Sequence, residues 1–360
     1  MHGIGIVDLM ESAIFISCVI LTSVLITELL RVYAHKKQLY DVPNSRSSHT
    51  EDTPRGGGAA IVLAFLGSLS LFYYFDGILL HDYVALLGAG GLVSAVGFWD
   101  DHTHVHARIR LFFHILAGVW ALSWIGINTN LDFGYGEMNL GWFGFVVGLL
   151  FLVWLINLYN FMDGIDGIAS VETIFVSTSA AVFLYINGDT DTAFSLCLLA
   201  AACLGFLVWN WPPAKIFMGD VASGFLGITL GVFALFTSNE GHISIWTWLI
   251  LLGVFVVDAT YTLLKRMHLS ERWYEAHRCH AYQFAAEKSG SHRFVTLMVL
   301  TINVLWLFPL ALLSVWYSNL GFLLLVIAYA PLLALAIVVG AGKRPELNKF
   351  IREVKTEVKG

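Results

Sequence analysis

The chain has 360 residues, 58% of them hydrophobic and only 13% charged, with a mean hydropathy of +0.74 and a formal net charge of −6. Soluble domains carry about 25% charged residues, so an ordinary soluble protein is excluded and no nucleic-acid partner is expected. Apolar runs of roughly 17–25 residues, long enough to cross a hydrocarbon core, recur from end to end and predict an all-α polytopic membrane protein.

About 11 such runs are expected to be transmembrane helices, centred near Val19, Leu66, Leu87, Ala117, Val147, Ala180, Leu199, Ile228, Gly253, Val304 and Val326. Lipid-exposed irregular backbone would leave polar groups unpaired, and the alternating pattern of barrel strands is missing. The first run exceeds a signal-peptide core and lacks a small-residue cleavage pattern, so it is expected to be retained. The loop after it, DVPNSRSSHTEDTPRGGG, offers Asn44, Arg46, Ser47, Ser48 and Arg55 before a glycine run. Those glycines could bring backbone N–H groups to an anion, or simply form a flexible entry.

After the third run comes FWDDHTHVHARIR, with Asp100 and Asp101 at one helix end and Arg108 and Arg110 at the start of the next. Neighbouring helical residues project about 100° apart, so the two aspartates are expected to have different jobs. A carboxylate pair at a helix C-terminus opposes the macrodipole, which points to a cation or to a proton to be taken. His102, His104, His106 and His114 lack cysteine or an H-E-x-x-H helix, and read as solvated or phosphate-contacting imidazoles rather than a zinc site.

The fifth and sixth runs flank NLYNFMDGIDGIAS. If helical, Asn157 and Asn160 share a face, as do Asp163 and Asp166; the two Asp-Gly pairs break the helix and let carboxylates face water. NWPPAKIFMGDVASGFLG follows the seventh run, with Lys215 as a cation and Asp220 at the next helix start. Alone, Asp220 would read as an N-cap. Beside the other acids it reads as a ligand for a hard cation, Mg²⁺ above others, while Gly224, Gly227 and Gly231 serve close helix packing. The last large inner loop, ERWYEAHRCHAYQ, supplies His277, Arg278 and His280 as phosphate partners.

Loop charge predicts orientation. With Met1 outside, all 20 Lys and Arg fall on inner segments, and the outer ones carry Asp76, Asp82, Asp132, Glu137, Asp189, Asp191 and Glu240. The N-terminus is therefore expected to be periplasmic and the C-terminus cytoplasmic, and no cluster of candidate catalytic groups is expected on the outer side. Residues 1–341 form one transmembrane catalytic domain in this reading, and 342–360 a cytoplasmic, amphipathic tail with Leu347, Phe350, Ile351 and Val354 at helical spacing. Cys18, Cys197, Cys203 and Cys279 imply no disulfide framework.

Metal ligands and phosphate-binding cations on one face suggest phosphoryl transfer at a membrane boundary. The segments PNSRSSH…TPRGGG, WDD, NLYNFMDGIDGIA, FMGDVASGFLG and HRCHAYQ together resemble the polyprenyl-phosphate N-acetylhexosamine-1-phosphate transferases, the superfamily of MraY-type and WecA-type enzymes, over nearly the whole chain. The resemblance implies transfer of a sugar-1-phosphate from a UDP-sugar to undecaprenyl phosphate, with release of UMP. It implies Mg²⁺, with Mn²⁺ able to substitute, held by Asp220 with Asn160 as ligand or support.

Asp100, Asp101 and Asp163 would be the catalytic acids, with Asp100 and Asp101 by the acceptor phosphate. Asp166, Arg278, His280, Lys215, Arg55, Arg108 and Arg110 would bind the substrates. Direct displacement is favoured over a covalent intermediate. The RSSH…TPRGGG loop looks like the WecA/WbpL-type branch that initiates O-antigen-like glycans, whereas HRCHAYQ ends in Tyr282 and Gln283 rather than a histidine run. UDP-N-acetylglucosamine or a 6-deoxy relative ranks first as donor, the muramyl pentapeptide donor well behind, and the resemblance leaves room for a homodimer. The rival from another class is a secondary transporter for an anionic solute, which would place functional groups near the bilayer midplane.

Overall fold

The computed structural model describes residues 6–41, 52–103, 105–126, 130–134, 136–269 and 278–343. In chain order its elements are α1 (Ile6–Lys37), β1 (Tyr40–Asp41), β2 (Thr53–Pro54), α2 (Ala59–Tyr74), α3 (Leu80–His102), α4 (Ala107–Ile125), β3 (Asn130–Asp132), β4 (Glu137–Asn139) and α5 (Phe143–Met162). There follow α6 (Ile168–Ile186), α7 (Thr190–Asn210), α8 (Asp220–Asn239), α9 (Ile245–Leu251), α10 (Gly253–His268), α11 (Ala281–Ser289), α12 (His292–Ile302), α13 (Phe308–Trp316) and α14 (Gly321–Val339). The chain is an all-α polytopic membrane protein, with two short antiparallel pairs, β1 with β2 and β3 with β4, as its only strands among the described residues.

Nine helical segments are long and apolar enough to span a bilayer, ten if α9 and α10 count as one span. The run centred on Leu66 makes the shorter α2, of 16 residues. At Gly253 the expected straight span is instead a pair bent by 81°. Asp258, Lys265, Arg266 and His268 give α10 a polar side that an uninterrupted transmembrane helix would have to bury. The run centred on Val304 is also irregular, because Pro309 has no N–H to return to the preceding turn, and a π-helical turn, Asn303–Leu307, joins α12 to α13.

Helix α8 is the axis of the bundle: 89% of its most apolar stretch is buried, against 17% for α1 and 28% for the last span. Its small residues explain this. Carbon added at Gly227 would strike the Leu155 backbone of α5, and at Gly231 would lie 2.7 Å from a Leu152 methyl. The packing reading of Gly224, Gly227 and Gly231 therefore holds. The outer helices carry exposed Leu21, Leu25 and Leu29 on α1 and Val338 on α14, surfaces suited to lipid. At 1.5 Å per residue α8 is about 30 Å long, so Asp220 and Asn239 lie at opposite ends of the bundle.

Residues 344–360, and with them Leu347, Phe350, Ile351 and Val354, lie outside the described residues, as do Asn44, Arg46, Ser47, Ser48, His104 and His277. The chain just past 341 still packs on the bundle, since the Gly342 N–H donates to the Cys279 carbonyl at 2.8 Å.

Candidate active site

Four helix ends meet around Asp220. Arg110, on the first turn of α4, donates through one nitrogen to Asp100 Oδ2 at 2.7 Å and to Asp220 Oδ2 at 3.0 Å. The second oxygen of Asp100 accepts the Val105 N–H at 2.7 Å, which closes the turn between α3 and α4. From α5, the Asn160 carboxamide donates to Asp220 Oδ1 at 2.7 Å and to Ser223 Oγ at 3.1 Å. Asp220 is thus held on both oxygens, one by a cation and one by an amide, and its side chain keeps 32% of its surface exposed.

Asp101 does something else. Its Oδ1 accepts the Asp220 N–H at 3.0 Å and its Oδ2 the Val221 N–H at 3.2 Å. A buried carboxylate therefore takes two of the N–H groups that a helix start leaves open. Asp220 is not the N-cap of α8: it stands at the first helical position, and Asp101 reaches across from α3 to cap it. The site needs glycine to close this tightly. Gly219 has φ +78°, and a Cβ there would come within 2.6 Å of Asp101 Oδ2. On α3, a Cβ at Gly97 would strike the Asp220 carbonyl.

The Asp-Gly pairs form the turn between α5 and α6, so Asp163 and Asp166 do not share a helix face. Asp163 follows the last residue of α5 and makes no side-chain hydrogen bond among the described residues. Its burial, and then the negative charges of Asp220, Asp101 and Asp166, hold its carboxyl well above the usual carboxylate range. Asp166 is a tie: Oδ2 accepts the Ala214 N–H at 3.0 Å, Oδ1 lies 3.2 Å from His292 Nδ1, and its carbonyl accepts the Thr296 hydroxyl. Asn157 points away, donating to the Val153 carbonyl of its own helix.

The same family of contacts recurs at α11. Asp258, buried on α10, accepts the Ala281 N–H at 2.9 Å, the Tyr282 N–H at 3.0 Å and the Thr262 hydroxyl at 3.1 Å. Its Oδ1 also lies 3.4 Å from His280 Nδ1. The Tyr282 hydroxyl donates to the Phe161 carbonyl at 2.9 Å, and Gly164 makes room for that hydroxyl. His280 is thereby held beside the end of α5, its ring stacked 6.2 Å from Phe161, and Arg278 precedes it by two residues.

The family signal spans the helices that carry Asp100, Asp163 and Asp220. A profile described as glycosyl transferase family 4 matches residues 83–238, from α3 to the end of α8. The chain is 28% identical over 295 residues, 80% of each protein, to the probable undecaprenyl-phosphate N-acetylglucosaminyl 1-phosphate transferase of Bacillus subtilis (strain 168). It is 32% identical over 228 residues, 59% of this chain and 67% of the relative, to the phospho-N-acetylmuramoyl-pentapeptide-transferase of Streptococcus pneumoniae (strain Hungary19A-6). The chain belongs to the polyprenyl-phosphate hexosamine-1-phosphate transferase superfamily.

In this transferase two cations singled out by sequence, Lys215 and Arg108, are not bonded to the acids among the described residues. Lys215 packs its ammonium 5.3 Å from the Trp209 ring, which Arg31 also covers, and Arg108 is exposed on α4. Arg55 donates to the Asp101 carbonyl and so braces the α3 end. Two glycines of the run spend their N–H groups on the chain itself: Gly57 donates to the Phe217 carbonyl and Gly58 to that of Met218, both at 2.9 Å. Gly58 is required there because a Cβ would lie 2.4 Å from Ala222 Cβ, at the start of α8. His102 and His106 are exposed, consistent with solvated imidazoles, whereas His114 on α4 has a buried Nδ1 without a hydrogen bond among the described residues and is not solvated in that way.

Sequence reading of the transferase missed Asp258, which stands mid-helix in VVDATYT with no second acid beside it. An acid within an apolar run was the available signal. Next to it an apolar cavity of about 1030 Å³ lies between α10, α11, α12 and α14, walled by residues such as Val254, Phe284, Met298 and Leu335.

Proposed function

We propose that the protein transfers N-acetylhexosamine-1-phosphate from a UDP-sugar to undecaprenyl phosphate, releasing UMP and starting a lipid-linked, O-antigen-like surface glycan. The observation that carries this reading is the Asp100–Arg110–Asp220–Asn160 chain with Asp163 beside it, built from four helix ends in a chain of this superfamily. An oxygen of the acceptor phosphate attacks the sugar-bearing phosphorus of the donor, the bridging phosphoanhydride bond breaks, and its electron pair leaves on UMP. One phosphoanhydride replaces another.

The donor set suits Mg²⁺ or Mn²⁺: hard oxygen ligands, no sulfur, and one carboxylate, Asp163, whose charge no hydrogen-bond donor offsets. Asp220 and Asp163 would hold the ion, which when bound neutralises the donor's phosphates. Asn160 supports Asp220 through its amide. Arg110 is positioned to exchange a carboxylate for a phosphate oxygen, Asp100 keeps Arg110 in place, and Arg278 and His280 face the donor. Asp101 and Asp166 act as positioning residues. A second phosphate pKa of about 6 leaves the acceptor already largely ionised near neutral pH, so direct displacement needs no strong base.

The apolar cavity along α10 and α14 is the proposed seat for the isoprenoid chain. UDP-N-acetylglucosamine is the first-ranked donor, in line with the relative matched over 80% of its length. The decisive assay uses purified protein, undecaprenyl phosphate, Mg²⁺ and a panel of UDP-sugars, with UMP as readout. UMP release with UDP-N-acetylglucosamine or a 6-deoxy relative, abolished in D220A that stays folded, is expected. Wild-type turnover in D220A would remove the metal assignment, and UMP from the muramyl pentapeptide donor alone would reassign the substrate.

A further inference from the structure

At the far end of α8 from Asp220, three helix ends bring together groups that are far apart in sequence. His81 and Asp82 open α3, Asp189 caps α7, and Glu240 and His242 follow α8. In sequence these acids and histidines are scattered over separate loops, and no cluster of candidate catalytic groups is expected at this end.

His81 Nε2 lies 3.3 Å from Asp82 Oδ1, and His242 Nε2 lies 3.6 Å from Glu240 Oε2 and 3.8 Å from Asp189 Oδ2. The residues fall into two sets, His81–Asp82–Glu240 and Asp189–Glu240–His242, each with its ligand atoms within 4.8 Å of one another. Glu240 belongs to both. Asp82 is only 5% exposed, yet its Oδ1 accepts no hydrogen bond, and neither does Asp189 Oδ2. The turn that carries His242 is pinned by the Asn187 side chain, which donates to the His242 carbonyl at 2.6 Å.

Three carboxylates crowded together with two imidazoles are poorly compensated unless the imidazoles are protonated or a cation is shared. Bonds of about 2.0–2.2 Å to a tetrahedral ion set neighbouring ligands about 3.4 Å apart, close to the separations found here. Two imidazole nitrogens favour zinc-class ions, whereas Mg²⁺ and Ca²⁺ prefer oxygen throughout.

We propose that Asp189, Glu240 and His242 hold one zinc-class divalent ion, with His81 and Asp82 beside it as the second set that shares the Glu240 carboxylate. The ion ties the start of α7 to the end of the central helix. This inference does not depend on the reaction proposed above.

The test uses tag-free, full-length protein in detergent, stripped with chelator and then dialysed against Zn²⁺ or Mg²⁺. Bound metal is counted by mass spectrometry and thermal unfolding is followed in parallel. Wild type should retain one equivalent of zinc and gain about 3–5 °C when zinc exceeds its Kd about 100-fold. D220N should keep that equivalent. E240Q and H242N, on partly exposed side chains whose loss should not unfold the protein, should lose retention at least tenfold. Zinc retention equal in wild type and E240Q, or displacement of zinc by equimolar Mg²⁺, would overturn the proposal.

Discussion

Asp101 and Asp258 each place a buried carboxylate against two consecutive N–H groups at the start of another helix, α8 in one case and α11 in the other. D101A should therefore lower stability by about 1–3 kcal/mol, the cost of stranding buried donors, while D220A should not; thermal unfolding of the two variants side by side checks this. Asp163 has the opposite effect on stability. Because its folded pKa is raised, the native state holds a proton that the unfolded chain releases near pH 4. Metal-free protein should lose stability as pH rises from that range towards the raised value of Asp163. D163N should flatten this dependence and unfold at higher temperature in chelator at neutral pH, while abolishing UMP release. A stability profile in D163N that parallels wild type would count against the strained carboxylate. That Asp100 and Asp101 have different jobs was legible in sequence, but not which job falls to which: only the crossing of α3 on α8 assigns one acid to Arg110 and the other to a helix start.

At the scale of elements, the site depends on how closely α3, α5 and α8 approach. Gly97 faces the Asp220 carbonyl, and Gly227 the Leu155 backbone. G97A should push the start of α8 away, costing about 1–3 kcal/mol in overpacking and lowering kcat more than the donor KM, as measured by unfolding and by UMP release. If G97A retains wild-type kcat, the close crossing is not what positions Asp220. Apolar runs announced the helices because hydrocarbon length demands about 20 residues. The 81° break before α10 and the π-helical turn before α13 did not stand out, since apolar residues continue through both. Pro309 was the visible cause of the second, and the polar side of α10 the visible companion of the first.

For the whole molecule, the segregation of basic residues predicts that the Asp220 end faces the cytoplasm and the Glu240 end the opposite side. In a background with all four native cysteines replaced, a cysteine at Lys288 should resist a membrane-impermeant thiol reagent in intact cells, and one at Gly188 should react. Reversed labelling would invert the orientation and move the proposed reaction to the other face. The transporter reading loses its ground at this scale as well, since the acids that converge with Arg110 and Asn160 lie at helix ends rather than at mid-span, and the chain belongs to a transferase superfamily.

Sequence by itself determined the solvent, the helical class, the approximate number of spans and the segments that carry chemistry, because each follows from local composition: apolar length, clustered acids, glycine and proline. Only the tertiary structure decided which acid meets which donor. It gave Asp100 and Asp101 their separate partners, joined Asp258 to α11, docked Gly57 and Gly58 on the segment before α8, and gathered His81, Asp82, Asp189, Glu240 and His242 at one end. The reason is physical: a carboxylate's role is set by the donors and charges within a few ångströms, and in a helical bundle those neighbours come from other helices.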